Sequence, residues 1–186
     1  MTIRIAMWSG PRNISTAMMR SFGARRDCAV SDEPFYGAFL QATGEPHPLA
    51  AETIADMDCD WHSVLATQSG HPPGGEPVWY QKHMPHHMVG PVSIADMPDH
   101  RHAFLIRAPE RVVASYQQKN ELRRADLLGF SRLRRYFDYE RERKGNVPPV
   151  VDSDAILNDP PMMLEKLCAA LGIGWDTSML HWQTGP

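Results

Sequence analysis

The sequence predicts a three-layer α/β/α domain built on a mostly parallel sheet of about five strands. Three observations carry this expectation. Short apolar runs alternate with helical patterns along the chain, the first run ends in a polar turn that leads into a helix, and a later run is followed by Pro109 where a helix would start. Strands joined through helices run parallel and need cover on both faces, hence three layers.

Ile3 to Trp8 is the first run, closed by Ser9-Gly10-Pro11, and Ser15 to Phe22 is the helix after it, with Asn13 or Ser15 available as N-cap. Cys28 to Ser31 is a second strand, running into Asp32-Glu33-Pro34-Phe35-Tyr36. Residues 41–77 hold many of the prolines and glycines, with Leu49 to Thr67 expected as one amphipathic helix between surface loops. Val78 to Gln81 and Ala103 to Ile106 are the third and fourth strands. Pro109 needs no N–H at a helix start, Glu110 complements the helix dipole, and the helix continues through Val112, Val113 and Tyr116. A charged helix is expected at 127–143, with Leu127, Leu128, Phe130, Leu133 and Phe137 as its apolar stripe. Pro149 to Asp152 is the fifth strand, and Pro161 to Leu171 a last helix stopped by Gly172.

Length and composition narrow the function classes. A chain of 186 residues is one domain, 1–186, and 42% hydrophobic with 22% charged residues excludes collagen-like, coiled-coil and disordered chains. A formal net charge of -3 argues against a nucleic-acid partner. Cys28, Cys59 and Cys168 are scattered, which fits a reducing compartment and makes neither a disulfide framework nor a zinc site. The N-terminus is too short and polar for a signal peptide and no apolar stretch could span a bilayer, so a cytoplasmic chain is expected. Oligomeric state is not legible. Charge is uneven: residues 101–144 carry 12 of the 19 Lys and Arg against six acids, which is +6, leaving -9 elsewhere. That segment is either a solvated helical face or a basic rim steering an anionic small ligand.

Chemistry gathers at the first turn. Ser9-Gly-Pro-Arg-Asn-Ile-Ser-Thr16 joins a strand end to a helix start, where backbone N–H groups meet anions, and Arg12, Ser15 and Thr16 add side-chain donors. It is not a nucleotide-triphosphate P-loop, because the G-x-x-x-x-G-K-S/T spacing and its lysine are absent. Arg107 at the fourth strand end and Ser115 on the next helix are spaced so that both can reach one anion.

Three segments together resemble the sulfotransferases that use 3′-phosphoadenosine 5′-phosphosulfate (PAPS), the bacterial branch above all, with a P-loop nucleotide-kinase-like fold. They are Pro11-Arg12-Asn13-Ile14-Ser15-Thr16, Gln81-Lys82-His83-Met84-Pro85, and Leu105-Ile-Arg107-Ala-Pro-Glu-Arg-Val-Val-Ala-Ser115-Tyr. They stand for that family's Y-P-K-S-G-T-T-W-like, K-T-H-L-P-like and R-x-P-R-D-V-x-x-S-Y-like segments. Val151-Asp-Ser-Asp-Ala-Ile-Leu-Asn-Asp-Pro160 and Leu164 to Gly172 add a bacterial D-L-x-x-D-P and C-x-x-L-G flavour.

The resemblance implies PAPS as co-substrate, no metal, and sulfuryl transfer to a hydroxyl or amine of a small-molecule acceptor. It implies that Arg12 serves the bridging oxygen and 5′-phosphate, Asn13, Ile14, Ser15 and Thr16 hold the phosphosulfate, and Arg107 and Ser115 take the 3′-phosphate. His83 is the expected general base. Asp32, Glu33, Phe35 and Tyr36 are expected near the acceptor. Four departures accompany the resemblance. Gln81 replaces a lysine while Lys82 stands one residue later, on the other face of the strand; Ala17 replaces the adenine-stacking tryptophan; Ala108 replaces an aspartate; and the sequence ends at His181-Trp-Gln-Thr-Gly-Pro186 without the Gly-rich basic closing segment, so that lid is expected to be absent. Two other readings stay open: a catalytically impaired nucleotide- or anion-binding domain of this fold, and a P-loop kinase-like enzyme. Nothing offers the lysine context of a pyridoxal-phosphate enzyme.

Overall fold

A computed structural model describes residues 2–118 and 121–182, and the expectation about Gln183 to Pro186 lies outside them. Five strands, β1 (Ile3–Ser9), β2 (Cys28–Asp32), β3 (Val78–His83), β4 (Arg101–Ile106) and β5 (Val150–Asp152), form one sheet in the order β2-β3-β1-β4-β5. Every neighbouring pair is parallel. Central β1 is buried on both faces from Ile5 to Ser9, the reason it reads as a continuous apolar run.

Among the described residues the helices are α1 (Ser15–Gly23), α2 (Tyr36–Thr43), α3 (Ala50–Asp56), α4 (Trp61–Ser69), α5 (Pro109–Gln117), α6 (Phe130–Lys144), α7 (Ser153–Asn158) and α8 (Pro160–Leu171). Strand side chains alternate between faces, and the two faces have separate cores. Ile5, Met7, Tyr80 and Leu105 pack against Met18 and Phe22 of α1 and Leu164 and Leu171 of α8. Ala6, Trp8 and Phe104 pack oppositely, against Val64 of α4 and Leu133 and Tyr136 of α6. The three-layer α/β/α architecture follows, with the sheet wholly rather than mostly parallel.

Several local expectations are corrected. The helix expected over Leu49–Thr67 is two, α3 and α4. Between them Asp58 accepts the Asp60 N–H at 2.9 Å and Asp60 caps α4 by accepting the Ser63 N–H at 2.7 Å. Short acidic side chains that bond nearby backbone compete with a continuous helix. The helix expected at 127–143 is also divided, into a 3-10 turn at Ala125–Leu128 and α6, because Gly129 is left-handed with φ 72°. Leu127 therefore packs with Phe39 and Leu40 instead of continuing the stripe of α6. Neither Asn13 nor Ser15 caps α1; Ile14 occupies that position with no side-chain bond. β3 extends two residues beyond the expected Gln81, which puts His83 on the strand.

The chain leaves β1 toward β2 and β3 on one side and later returns to β4 on the other. In open parallel sheets the ligand crevice lies outside the carboxyl end of such a strand.

Candidate active site

A cavity of about 890 Å³ opens at the carboxyl ends of the strands, and its walls come from Pro11–Thr16 with Arg107 on one side and from Glu33, Tyr36, Phe39, Lys82 and His87 on the other. The first wall is strained by design. Arg12 and Ile14 are left-handed, with φ 58° and 45°, and flank Asn13, which is not. Alternation of this kind turns successive N–H groups toward one point, an anion nest. A left-handed L-residue costs about 1–2 kcal/mol, and a β-branched one such as Ile14 is least tolerant.

Long-range bonds from β4 and α5 hold this loop. Buried Asn13 donates through Nδ2 to the Leu105 carbonyl at 2.7 Å, and Arg107 Nη1 donates to the Arg12 carbonyl at 2.8 Å. Arg12 Nε donates to Ser115 Oγ at 3.0 Å. The two residues expected on the 3′-phosphate thus both reach Arg12. Arg12, Asn13, Ile14, Ser15, Thr16 and Arg107 line the cavity, while Ser115 lies behind Arg12 and touches the site through it. Gly10 is required by contact: a Cβ there would stand 2.7 Å from the Leu128 carbonyl oxygen. Two buried polar atoms of this wall have no partner, Arg107 Nε and Asn13 Oδ1.

The second wall follows the alternation of β3. Lys82 faces the cavity, and its Nζ lies 2.7 Å from Asp32 Oδ1 and 2.6 Å from Glu33 Oε1. Burial pulls the ammonium pKa down, the two carboxylates outweigh it, and the net shift is upward. Glu33 is itself left-handed at φ 47° and donates its N–H to the Lys82 carbonyl at 3.0 Å. Of the other residues expected near the acceptor, Tyr36 lines the cavity, Phe35 is buried in the core at 1% exposure, and Asp32 serves Lys82.

His83 is not brought into the cavity. Its side chain takes the opposite face of β3, at 1% exposure, stacked 4.7 Å from the Trp8 ring and beside Phe35. Gln81 Nε2 donates to the Gln68 carbonyl, leaving Gln81 Oε1 to accept from His83 Nε2 at 3.2 Å. Burial, helped by His100 and His102, keeps its imidazole well below the usual pKa. The residue expected as the base, His83, therefore stands apart from Lys82 and the cavity, because neighbouring residues along a strand take opposite faces. The histidines that line the cavity are His47, His86 and His87. The sequence signal that could have found the last two was the Pro85-His86-His87 turn directly after β3. Among the described residues, no group of three or more His, Cys, Asp or Glu side chains is gathered as a metal site. No helix among them is long and apolar enough to cross a membrane.

The family defined by a sulfotransferase domain matches residues 3–186. Two curated relatives from Arabidopsis thaliana, branched-chain-amino-acid aminotransferase-like proteins 2 and 1, are each 32% identical over 182 residues, covering 98% of this chain. The chain spans 32% of the length of each. Among solved structures, a sulfotransferase from Alicyclobacillus acidocaldarius superposes with TM-score 0.64 at 14% identity, over 94% of this chain and 82% of that one. The sulfotransferase domain of the Synechococcus PCC 7002 olefin synthase gives TM-score 0.58 at 16% identity, over 100% and 78%. The sulfotransferase domain from the curacin biosynthetic pathway gives 0.58 at 12%, over 100% and 79%.

Proposed function

This chain belongs to the sulfotransferase domain family, and we propose that it moves a sulfuryl group from PAPS to a small-molecule acceptor. The observation that carries the choice of donor is Arg107 Nε, a buried guanidinium nitrogen without a partner beside a loop held left-handed at Arg12 and Ile14. A buried charged donor left unpaired is costly, and an anion removes the cost. The residue types fit a donor bearing two phosphate groups: Arg12, Asn13, Ile14, Ser15 and Thr16 hold the 5′-phosphosulfate, and Arg107 serves the 3′-phosphate, with Ser115 acting through Arg12.

PAPS supplies an activated sulfuryl group on a phosphate leaving group. The chain's own residues orient it and neutralise charge on the leaving oxygen, a task for Arg12 and the backbone N–H groups, with no metal required. The strained loop is set before the ligand arrives, so little reorganisation is needed when charge develops. A cytoplasmic setting agrees with three free cysteines.

The test is thermal stabilisation by 3′-phosphoadenosine 5′-phosphate (PAP) against ATP, ADP and 5′-AMP. At a hundred times its dissociation constant a ligand stabilises by about 2.7 kcal/mol, a melting shift of roughly 5–10 °C for a chain of this size. A selective shift with PAP is expected. A shift with ATP alone contradicts the proposal in favour of a kinase-like enzyme, and no shift with any of them contradicts it outright.

A further inference from the structure

We propose that His87, oriented by Glu33, takes the proton from the acceptor hydroxyl, an inference that rests on the sulfuryl-transfer reading above. His87 lines the same cavity as Arg12 and Arg107. It closes the one-turn 3-10 helix Pro85–His87 after β3, where its N–H bonds the Met84 carbonyl at 3.0 Å. Its ring lies against Tyr36 and Phe39, at centroid distances of 4.8 and 4.9 Å and interplanar angles of 26° and 27°. Those two rings are three residues apart on α2 and so share one helix face. The imidazole cannot swing freely, and its Nδ1 is buried without a partner.

Nε2 looks toward Glu33, 3.8 Å from Oε2. That gap is too long for a direct hydrogen bond, so Glu33 lies close to Nε2 without occupying it. Glu33 is fixed on its other side by Lys82 and by its own left-handed backbone. Lys82 is shared with Asp32, so the Glu33 oxygen facing His87 remains an acceptor. His83, by contrast, has Nε2 committed to Gln81 on the far face of the sheet.

The charged and titratable groups around His87 are Glu33, Tyr36, His47, Lys82, His83 and His86. Burial, together with His86 and Lys82, keeps the imidazole well below its usual pKa, so it is neutral at pH 7. The imidazolium formed during reaction meets the Glu33 carboxylate and the faces of Tyr36 and Phe39. In the step, the acceptor oxygen bonds to sulfur while the sulfur bond to the bridging phosphate oxygen breaks. The hydroxyl proton passes to His87 Nε2, the leaving electron pair stays on the phosphate oxygen that Arg12 neutralises, and nothing is oxidised or reduced. His87 is then the catalytic base and Glu33 a positioning residue.

The test uses the whole chain and PAPS alone, with water as the smallest hydroxyl acceptor. Wild type should release sulfate slowly; His87→Gln should lose about 100-fold or more of that rate while its PAP affinity changes by less than about threefold. Glu33→Gln should lose about tenfold, and its pH–rate profile should move to lower pH because the imidazolium has lost its carboxylate. Histidine-selective NMR reads the same point without turnover, as a His87 titration displaced to lower pH in Glu33→Gln. A His87→Gln chain that melts like wild type and cleaves at the wild-type rate overturns the inference. So does a Glu33→Gln chain with an unmoved profile and titration, which decides the matter if His87→Gln does not fold. A wild type that binds PAP but cleaves no PAPS has no working base at His87, and overturns this inference alone. A wild type that does not bind PAP overturns the reading beneath it.

Discussion

Arg12 and Ser115 are 103 residues apart in sequence, yet Arg12 Nε donates to Ser115 Oγ at 3.0 Å. The backbone of the same arginine is held by Arg107. The β4–α5 segment therefore grips both ends of the residue assigned to the leaving oxygen. Ser115→Ala frees the guanidinium without leaving a buried charge unpaired. PAP affinity should fall about fivefold, near 1 kcal/mol, with little change in melting temperature. Calorimetric titration checks this, and an unchanged dissociation constant would remove Ser115 from the site.

Gly10 precedes the anion loop, and a methyl group there meets a backbone oxygen that cannot rotate away, at 2.7 Å. Gly10→Ala should cost about 1–3 kcal/mol by displacing the Ala125–Leu128 turn. Gly174→Ala is the control, because nothing lies within 4 Å of the added carbon. Urea midpoints for the two variants should differ clearly; equal midpoints would mean the turn yields at no cost.

Lys82 is buried between two carboxylates at 2.7 and 2.6 Å. Removing it leaves those charges facing each other beside the core, so Lys82→Ala should lose about 3 kcal/mol. Asp32→Asn should cost much less, because Asp32 is half exposed and Glu33 still answers the ammonium. Chemical denaturation of both variants checks the order, and a reversed order would contradict it.

Four buried histidines, His83, His87, His100 and His102, together with half-buried His86, should set the acid limit of the fold. Desolvation comes first in each, lowering His86 and His100 to about 4, His102 to about 3, and His83 and His87 well below 6.5. The unfolded chain takes up these protons near pH 6.5 and the folded chain does not, so stability is full above that pH and falls as pH drops toward the folded values. Each histidine contributes about 1.4 kcal/mol per pH unit in that window. Against an ordinary stability of about 5–15 kcal/mol, the chain should unfold in acid near pH 5. Melting temperatures from pH 7.5 to 4.5 test this, and a flat profile would contradict it.

The sheet was readable because β1, β3 and β4 are apolar runs that end in turn residues, and the anion loop because its donors stand at a strand-to-helix junction. The position of His83 outside the cavity was not legible because a sequence motif does not show which face of a strand carries each side chain. β3 runs on to His83, and alternation then sends Lys82 to the cavity and His83 to the core. Arg12 and Ile14 could not be read as left-handed, since both are residues that avoid that region and are held there by partners distant in sequence. The split of the 127–143 helix at Gly129 had a visible cause in the glycine, whereas the break at Met57–Asp60 depends on side-chain competition by Asp58 and Asp60.

The reading proposed here assigns Arg107 to a phosphate on the ribose 3′ position. It is tested most directly by calorimetric binding of PAP and of 5′-AMP to wild type and to Arg107→Ala, taken as one cycle. Wild type should prefer PAP by at least about tenfold, or about 1.4 kcal/mol, and Arg107→Ala should lose most of that preference while its affinity for 5′-AMP changes little. Equal affinity for the two nucleotides in wild type, or a preference that survives in Arg107→Ala, would contradict it.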